Sequence, residues 1–111
     1  MKELDIITKT LDEHKGEDIK TVDVHELSPF ATYYVLATAG NPRALAALQS
    51  HVEEELEKEG YEIRVSEGEP ESGWVITQAD EVIVHLFLEA NRRTINLEEL
   101  LDRVAEKIHK A

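Results

Sequence analysis

A metal-assisted transfer reaction needs two ligating side chains on one face, and along a strand only residues i and i+2 share a face. Two stretches invite that test: "TVDVH", residues 21–25, and "DEVIVHLFLEANRRT", residues 80–94. In the first, Asp23 and His25 have the required spacing, but one carboxylate with one imidazole is an incomplete set, and no Gly-Ser nucleotide loop lies upstream. In the second, Asp80 and Glu81 are adjacent, so on an extended chain they point apart and meet one ion only from a turn. The five histidines, at 14, 25, 51, 85 and 109, form no HxH or HxxxH pair for zinc. Ser28, Ser50, Ser66 and Ser72 sit in no nucleophile elbow, and no Walker loop occurs. The sequence therefore predicts no catalytic residue, no metal and no cofactor.

What remains in residues 80–94 is recognition chemistry. His85 reads either as a neutral histidine buried in a strand and hydrogen-bonded to a neighbouring loop, or as part of a functional face shared with Ile83 and Phe87. Arg92 and Arg93 follow the strand in strongly acidic surroundings; they form ion pairs with Glu98 or Glu89, or they serve an interface, where arginine is enriched. Arg92 is expected beyond the strand, where a charge reversal leaves folding intact. Trp74, the single tryptophan, is either a core plug at the start of a strand or an exposed anchor, and Gly73 before it indicates a special backbone shape.

The elements that must carry these residues follow from periodicity. Leu4, Ile7 and Leu11 predict a helix over residues 3–14, with Gly16 at its end. Residues 19–27, alternating around Val22 and Val24, and residues 32–39, "TYYVLATA", read as strands. Asn41 at the N-cap and Pro42 at the first helical position open a helix whose stripe is Leu45, Leu48, Val52 and Leu56, and Gly60 stops it. "YEIRV", 61–65, and "WVITQ", 74–78, predict a hairpin around a long turn-rich loop. "VIVHLFL", 82–88, is apolar on both faces except at His85, as in a central strand, and Val82, Val84, Leu86 and Leu88 are expected to form one buried face. Asn96 caps a last helix bearing Leu97, Leu100, Leu101, Val104 and Ile108, with Glu98 and Glu99 in its first turn and Lys107 and Lys110 at its end. The order is α-β-β-α-β-β-β-α: an α/β fold with a mixed five-stranded sheet flanked by helices, in a single domain over residues 1–111.

Composition narrows the partner. Twelve basic residues against 24 acidic ones give a net charge of −12, which opposes unaided binding to phosphate backbones and favours a basic protein partner. No apolar run is long enough for a membrane span, no signal-peptide pattern opens the chain and there are no cysteines, so a cytoplasmic location is expected.

The segments "SPFATYYVLATAGNPRALAAL" and "GWVITQADEVIVHLFLEANRRTINLEELL" together resemble the ribosomal silencing factor family, also called RsfS or Iojap-like. The resemblance runs from about residue 3 to 102 and rests on order and spacing: Ser28 and Phe30, the "YYVLAT" strand, Arg43, Trp74, the "VIVH" strand ending in His85, Arg92 and the "LEEL" run. The chain departs from the family pattern at Thr32, Gln78, Asp80, Ile95 and Leu101. The resemblance implies a nucleotidyltransferase-like topology without catalytic residues. It also implies binding to the large ribosomal subunit through its fourteenth protein, blocking its joining with the small subunit and so repressing translation. On that reading the partner-binding residues are Trp74, His85, Phe87, Arg92, Leu97 and Leu100, with Asp80 and Glu81 at the rim; Phe87 and Leu100 are also core candidates by pattern. Two other functions fit the residues: a vestigial nucleotide-binding protein, and an adaptor acting as a homodimer.

Overall fold

The computed structural model describes the backbone of residues 1–110 and the side chains of residues 1–104. One five-stranded sheet has the order β1-β2-β5-β4-β3, where β1 is Glu17–Asp23, β2 Tyr33–Ala39, β3 Val65–Glu67, β4 Trp74–Gln78 and β5 Val82–Leu88. Only β2 and β5 are parallel, paired from Tyr33↔Val82 to Ala39↔Leu88; the other pairs are antiparallel. Among the described residues four α-helices accompany the sheet, α1 (Lys2–Glu13), α2 (Pro42–Lys58), α3 (Glu89–Ile95) and α4 (Leu97–Lys110), with a short 3-10 helix at Pro70–Ser72 before β4.

The core forms where α1 and α2 cover one sheet face. Ile7 and Leu11 of α1 and Leu45, Leu48, Val52 and Leu56 of α2 pack on Val35, Ala37, Val75, Val82, Val84 and Leu86, all buried. Leu88 is half-buried at the margin of the same cluster, so the alternation expected along β5 places its four aliphatic residues together. Asn41 caps α2 as its sequence predicts, its side chain accepting from the Ala44 amide at 2.8 Å. At the other end of this layer Glu3, 2% exposed, accepts the amides of Asp80 at 3.0 Å and Glu81 at 2.9 Å. The first turn of α1 thereby fixes the β4–β5 turn.

Several boundaries differ from the sequence expectation. β1 begins at Glu17 and ends at Asp23, where Val24 turns inward and its amide donates to Thr32 O. Tyr61 and Ile63 alternate toward the core from a loop, and the strand pairing with β4 starts only at Val65. Residues 89–95 form a separate helix, α3, and Asn96 in the left-handed region (φ 43°) divides it from α4. Gly16 does not take the left-handed turn after α1; Lys15 does, at φ 65°. Gly16 is required for another reason, since a Cβ there would lie 2.9 Å from Leu11 O. The side chains of Lys107, Ile108 and Lys110, expected in the last helix, lie outside the described residues.

Candidate functional site

The sheet face turned away from α1 and α2 collects the chemistry. Alternation puts Ile83, His85 and Phe87 of β5 there; parallel pairing sets Tyr34, Leu36 and Thr38 beside them, and antiparallel pairing sets Gln78, Ile76 and Trp74 on the other side. α3 and α4 follow from the end of β5, and α3 packs on β5 and β2. Phe87, at 1% exposure, and Leu36 are consequently buried, whereas Tyr34, Trp74, Ile76, Gln78 and Ile83 remain half-buried. An apolar and aromatic sheet surface left half-covered is what a docking partner would complete.

His85 is the pivot of this face and is 6% exposed. Trp74 donates its Nε1–H to His85 Nδ1 at 3.2 Å, Tyr34 stands against the imidazole at a centroid separation of 4.5 Å, and Trp74 stacks on Phe87 at 5.3 Å. Accepting at Nδ1 requires a lone pair there, so the neutral ring carries its proton on Nε2. Burial pushes the pKa of His85 down to about 4, because a low-dielectric site disfavours the cation. The Nε2 atom is buried without a hydrogen-bond partner among the described residues. The two readings of His85 thus merge: it is a buried neutral histidine, bonded to Trp74 rather than to a loop, on the half-covered face.

Gly73 makes the placement of Trp74 feasible. It adopts φ 86°, and a Cβ there would collide with the side-chain amide of Asn91. That amide donates to Ser72 O at 3.0 Å, while the Leu88 amide donates to Gly73 O at 3.0 Å. The start of β4 is thereby bound to the start of α3.

Arg92 corrects the sequence expectation. Its side chain is 12% exposed, its Nε donates to Glu98 Oε1 at 2.8 Å, and its NH1 group donates to Asp18 O at 2.8 Å. Lys20 reaches the same carboxylate at 3.1 Å. The Arg92 guanidinium, with Lys20, holds the Glu98 carboxyl below the usual range. Arg92 is therefore a clasp joining α3, α4 and β1, and its reversal is not neutral for folding. Arg93 is exposed and pairs with Glu89 at 3.3 Å, one turn earlier. Both ion pairs considered from the sequence are formed. At the start of α4, Leu97 is half-buried and Leu100 is 54% exposed, which removes Leu100 from the core.

Asp80 and Glu81 lie at the opposite end of β4 and β5 from Trp74 and Phe87, in the turn held by Glu3. Glu81 accepts the Thr32 hydroxyl at 3.1 Å and, through its backbone carbonyl, the Thr32 and Tyr33 amides. The adjoining hollow is lined by His25, Ser28, Phe30, Thr32 and Glu81, and Phe30 is 76% exposed. Asp23 and His25 form an exposed pair at 2.6 Å, which holds the Asp23 carboxyl low and the imidazole high. Among the described residues no three His, Cys, Asp or Glu side chains assemble as a metal site. No described helix is long and apolar enough to cross a membrane.

The structure brings together Trp74, His85 and Phe87, sets Arg92, Leu97 and Leu100 beyond the strand end, and leaves Asp80 and Glu81 at the far margin. Ile83 lies on the face as its sequence alternation predicts, whereas Tyr34, Ile76 and Gln78 share the face and were missed by sequence reasoning. Their strands were legible, but only the pairing register places them around His85.

A family model described as "Ribosomal silencing factor during starvation" matches residues 1–110. A ribosomal silencing factor of Chromobacterium violaceum is 33% identical over 92 residues, covering 83% of this chain and 75% of the relative. One of Bacillus subtilis strain 168 is 27% identical over 97 residues, covering 87% of this chain and 82% of the relative. A crystal structure of a Chromobacterium violaceum protein superimposes with a TM-score of 0.86 at 30% sequence identity, covering 91% of this chain and 84% of the other.

Proposed function

The chain belongs to the ribosomal silencing factor family, and from that premise we propose that it binds the large ribosomal subunit through its fourteenth protein and sterically blocks joining with the small subunit, so repressing translation. The observation that carries this reading is the half-covered apolar and aromatic sheet face around His85, on a chain of net charge −12. Ribosomal proteins are basic, so long-range attraction speeds encounter while a compact apolar and aromatic patch fixes the pose. Trp74, Tyr34, Ile76, Ile83, Leu97 and Leu100 provide the contact surface. His85 and Phe87 support it from beneath, Arg92 fixes the α3–α4 corner beside it, and Asp80 and Glu81 sit at its edge. The mechanism is occlusion and asks for no catalysis and no cofactor.

Sedimentation with separated subunits tests the proposal. The wild-type chain should migrate with the large subunit, and not with the small one or the joined particle. Ile76→Glu places a charge on the half-exposed face and should weaken binding at least tenfold, about 1.4 kcal/mol, with an unchanged far-ultraviolet circular dichroism spectrum. A folded Ile76→Glu variant that still sediments with the large subunit and still blocks joining at wild-type concentrations would remove this face from the interface.

A further inference from the structure

On the helix-covered side, remote from the docking face, a pocket of about 200 Å³ opens between the end of α1 and the first half of α2. Its lining includes His14, Lys15, Gly40, Ala47, Leu48 and His51, and no carboxylate. That is unusual in a chain with 24 acidic residues, and the hollows beside Arg92, Arg64 and His25 each include at least one acid. The imidazoles of His14 and His51 lie face to face, with centroids 3.7 Å apart and planes inclined by 12°. Most basic side chains of this protein pair with an acid, yet Lys15 has no ion-pair partner among the described residues. Lys15 also holds a left-handed backbone conformation, φ 65°, which a glycine adopts without strain. A lysine kept at a glycine position beside two stacked histidines points to a use for its charge.

We propose that this pocket binds an oxyanion of the phosphate class through His14, Lys15 and His51. Rings held face to face direct their nitrogens along two parallel planes, so their lone pairs do not converge on one point as a metal ion requires. Donors in parallel planes instead reach separate oxygens of one polyoxygen anion, and the lysine ammonium supplies charge without directional demand. The Asn41 side chain already occupies the Ala44 amide at the start of α2, so recognition rests on the three side chains rather than on the helix end. Leu48 and Ala47 give the pocket an apolar wall, suited to the organic part of a phosphate monoester.

The test is a nuclear magnetic resonance titration of the full chain, following the His14 and His51 ring resonances. Inorganic phosphate and adenosine 5′-monophosphate are the two probes, with sodium chloride at matched ionic strength as the control. Both rings should shift saturably in the millimolar range with at least one phosphate probe and not with chloride. Tighter binding of the monophosphate identifies an ester as the ligand class, and equal binding identifies the free anion. Lys15→Gly relieves the backbone strain and removes the charge, so it should hold or raise thermal stability while weakening phosphate binding at least about fivefold. His51→Gln should weaken binding similarly. Shifts that never saturate, shifts matched by chloride, or saturable binding unchanged in both variants would overturn the proposal.

Discussion

Protonation of His85 offers the sharpest test of how the half-covered face is built. In the unfolded chain this imidazole has its ordinary pKa of 6.5, whereas burial lowers it to about 4 in the folded state. Between those values the unfolded chain takes up a proton that the folded chain does not. Stability is therefore full above pH 6.5 and declines as pH falls toward 4. Each pKa unit is worth about 1.4 kcal/mol, so this one residue accounts for roughly 3 kcal/mol over that interval. Protonation also ends the Trp74 hydrogen bond, because Nδ1 then has no lone pair to offer. His85→Gln retains an acceptor for Trp74 but does not titrate. Other groups with shifted pKa values, Asp23, His25 and Glu98 among them, are common to both proteins and cancel in the difference. Urea unfolding followed by the fluorescence of Trp74, the single tryptophan, should be measured at pH 7, 6, 5 and 4. The wild type should lose about 3 kcal/mol more than His85→Gln from pH 7 to pH 4. Parallel stability curves, or a folded-state His85 resonance that titrates near pH 6.5, would refute the reasoning.

Three further outcomes are expected. Glu3→Ala removes the acceptor for two amides in the β4–β5 turn and should cost about 2–3 kcal/mol in denaturant unfolding, although residue 3 lies near the chain start. Arg92→Glu should lower the melting temperature while Arg93→Glu leaves it within error; in a double-mutant cycle, Arg92→Ala and Glu98→Ala should show about 1–2 kcal/mol of coupling, and additive effects would mean that the clasp contributes nothing. Leu86→Ala, within the helix-covered core, should destabilise by roughly 3 kcal/mol and reduce large-subunit binding only through the unfolded fraction, as seen by sedimentation at a temperature where the variant stays folded.

The parts legible in the sequence are those whose information is local. Asn41, Pro42 and a stripe at 45, 48, 52 and 56 define α2 without reference to anything distant. The two apolar faces of β5 mark it as central, which its position between β2 and β4 bears out. α3 was not legible because "EANRRTI" has no apolar stripe; Asn91 against Gly73 and Arg92 against Asp18 help fix it from distant parts of the chain. Tyr61 and Ile63 imitated a strand because a loop lying on the core also alternates inward and outward. For the site, the sequence yielded Trp74 and His85 but not the hydrogen bond between them, nor Tyr34 and Ile76 around them. Those neighbours are created by strand register, and register is a tertiary property.

The parallel pairing of β2 with β5 also shapes how the chain reaches its fold. Tyr33 and Val82 must meet across roughly fifty intervening residues, and such closure costs entropy before any contact rewards it. At ordinary synthesis rates of about 5–20 residues per second, β2 waits several seconds for its central partner after it is made. During that interval α1 and α2 can cover one face of "YYVLATA", but its hydrogen-bonding edge toward β5 stays open. An amino-terminal fragment ending after α2 should therefore self-associate through that edge, whereas the full chain closes it with β5.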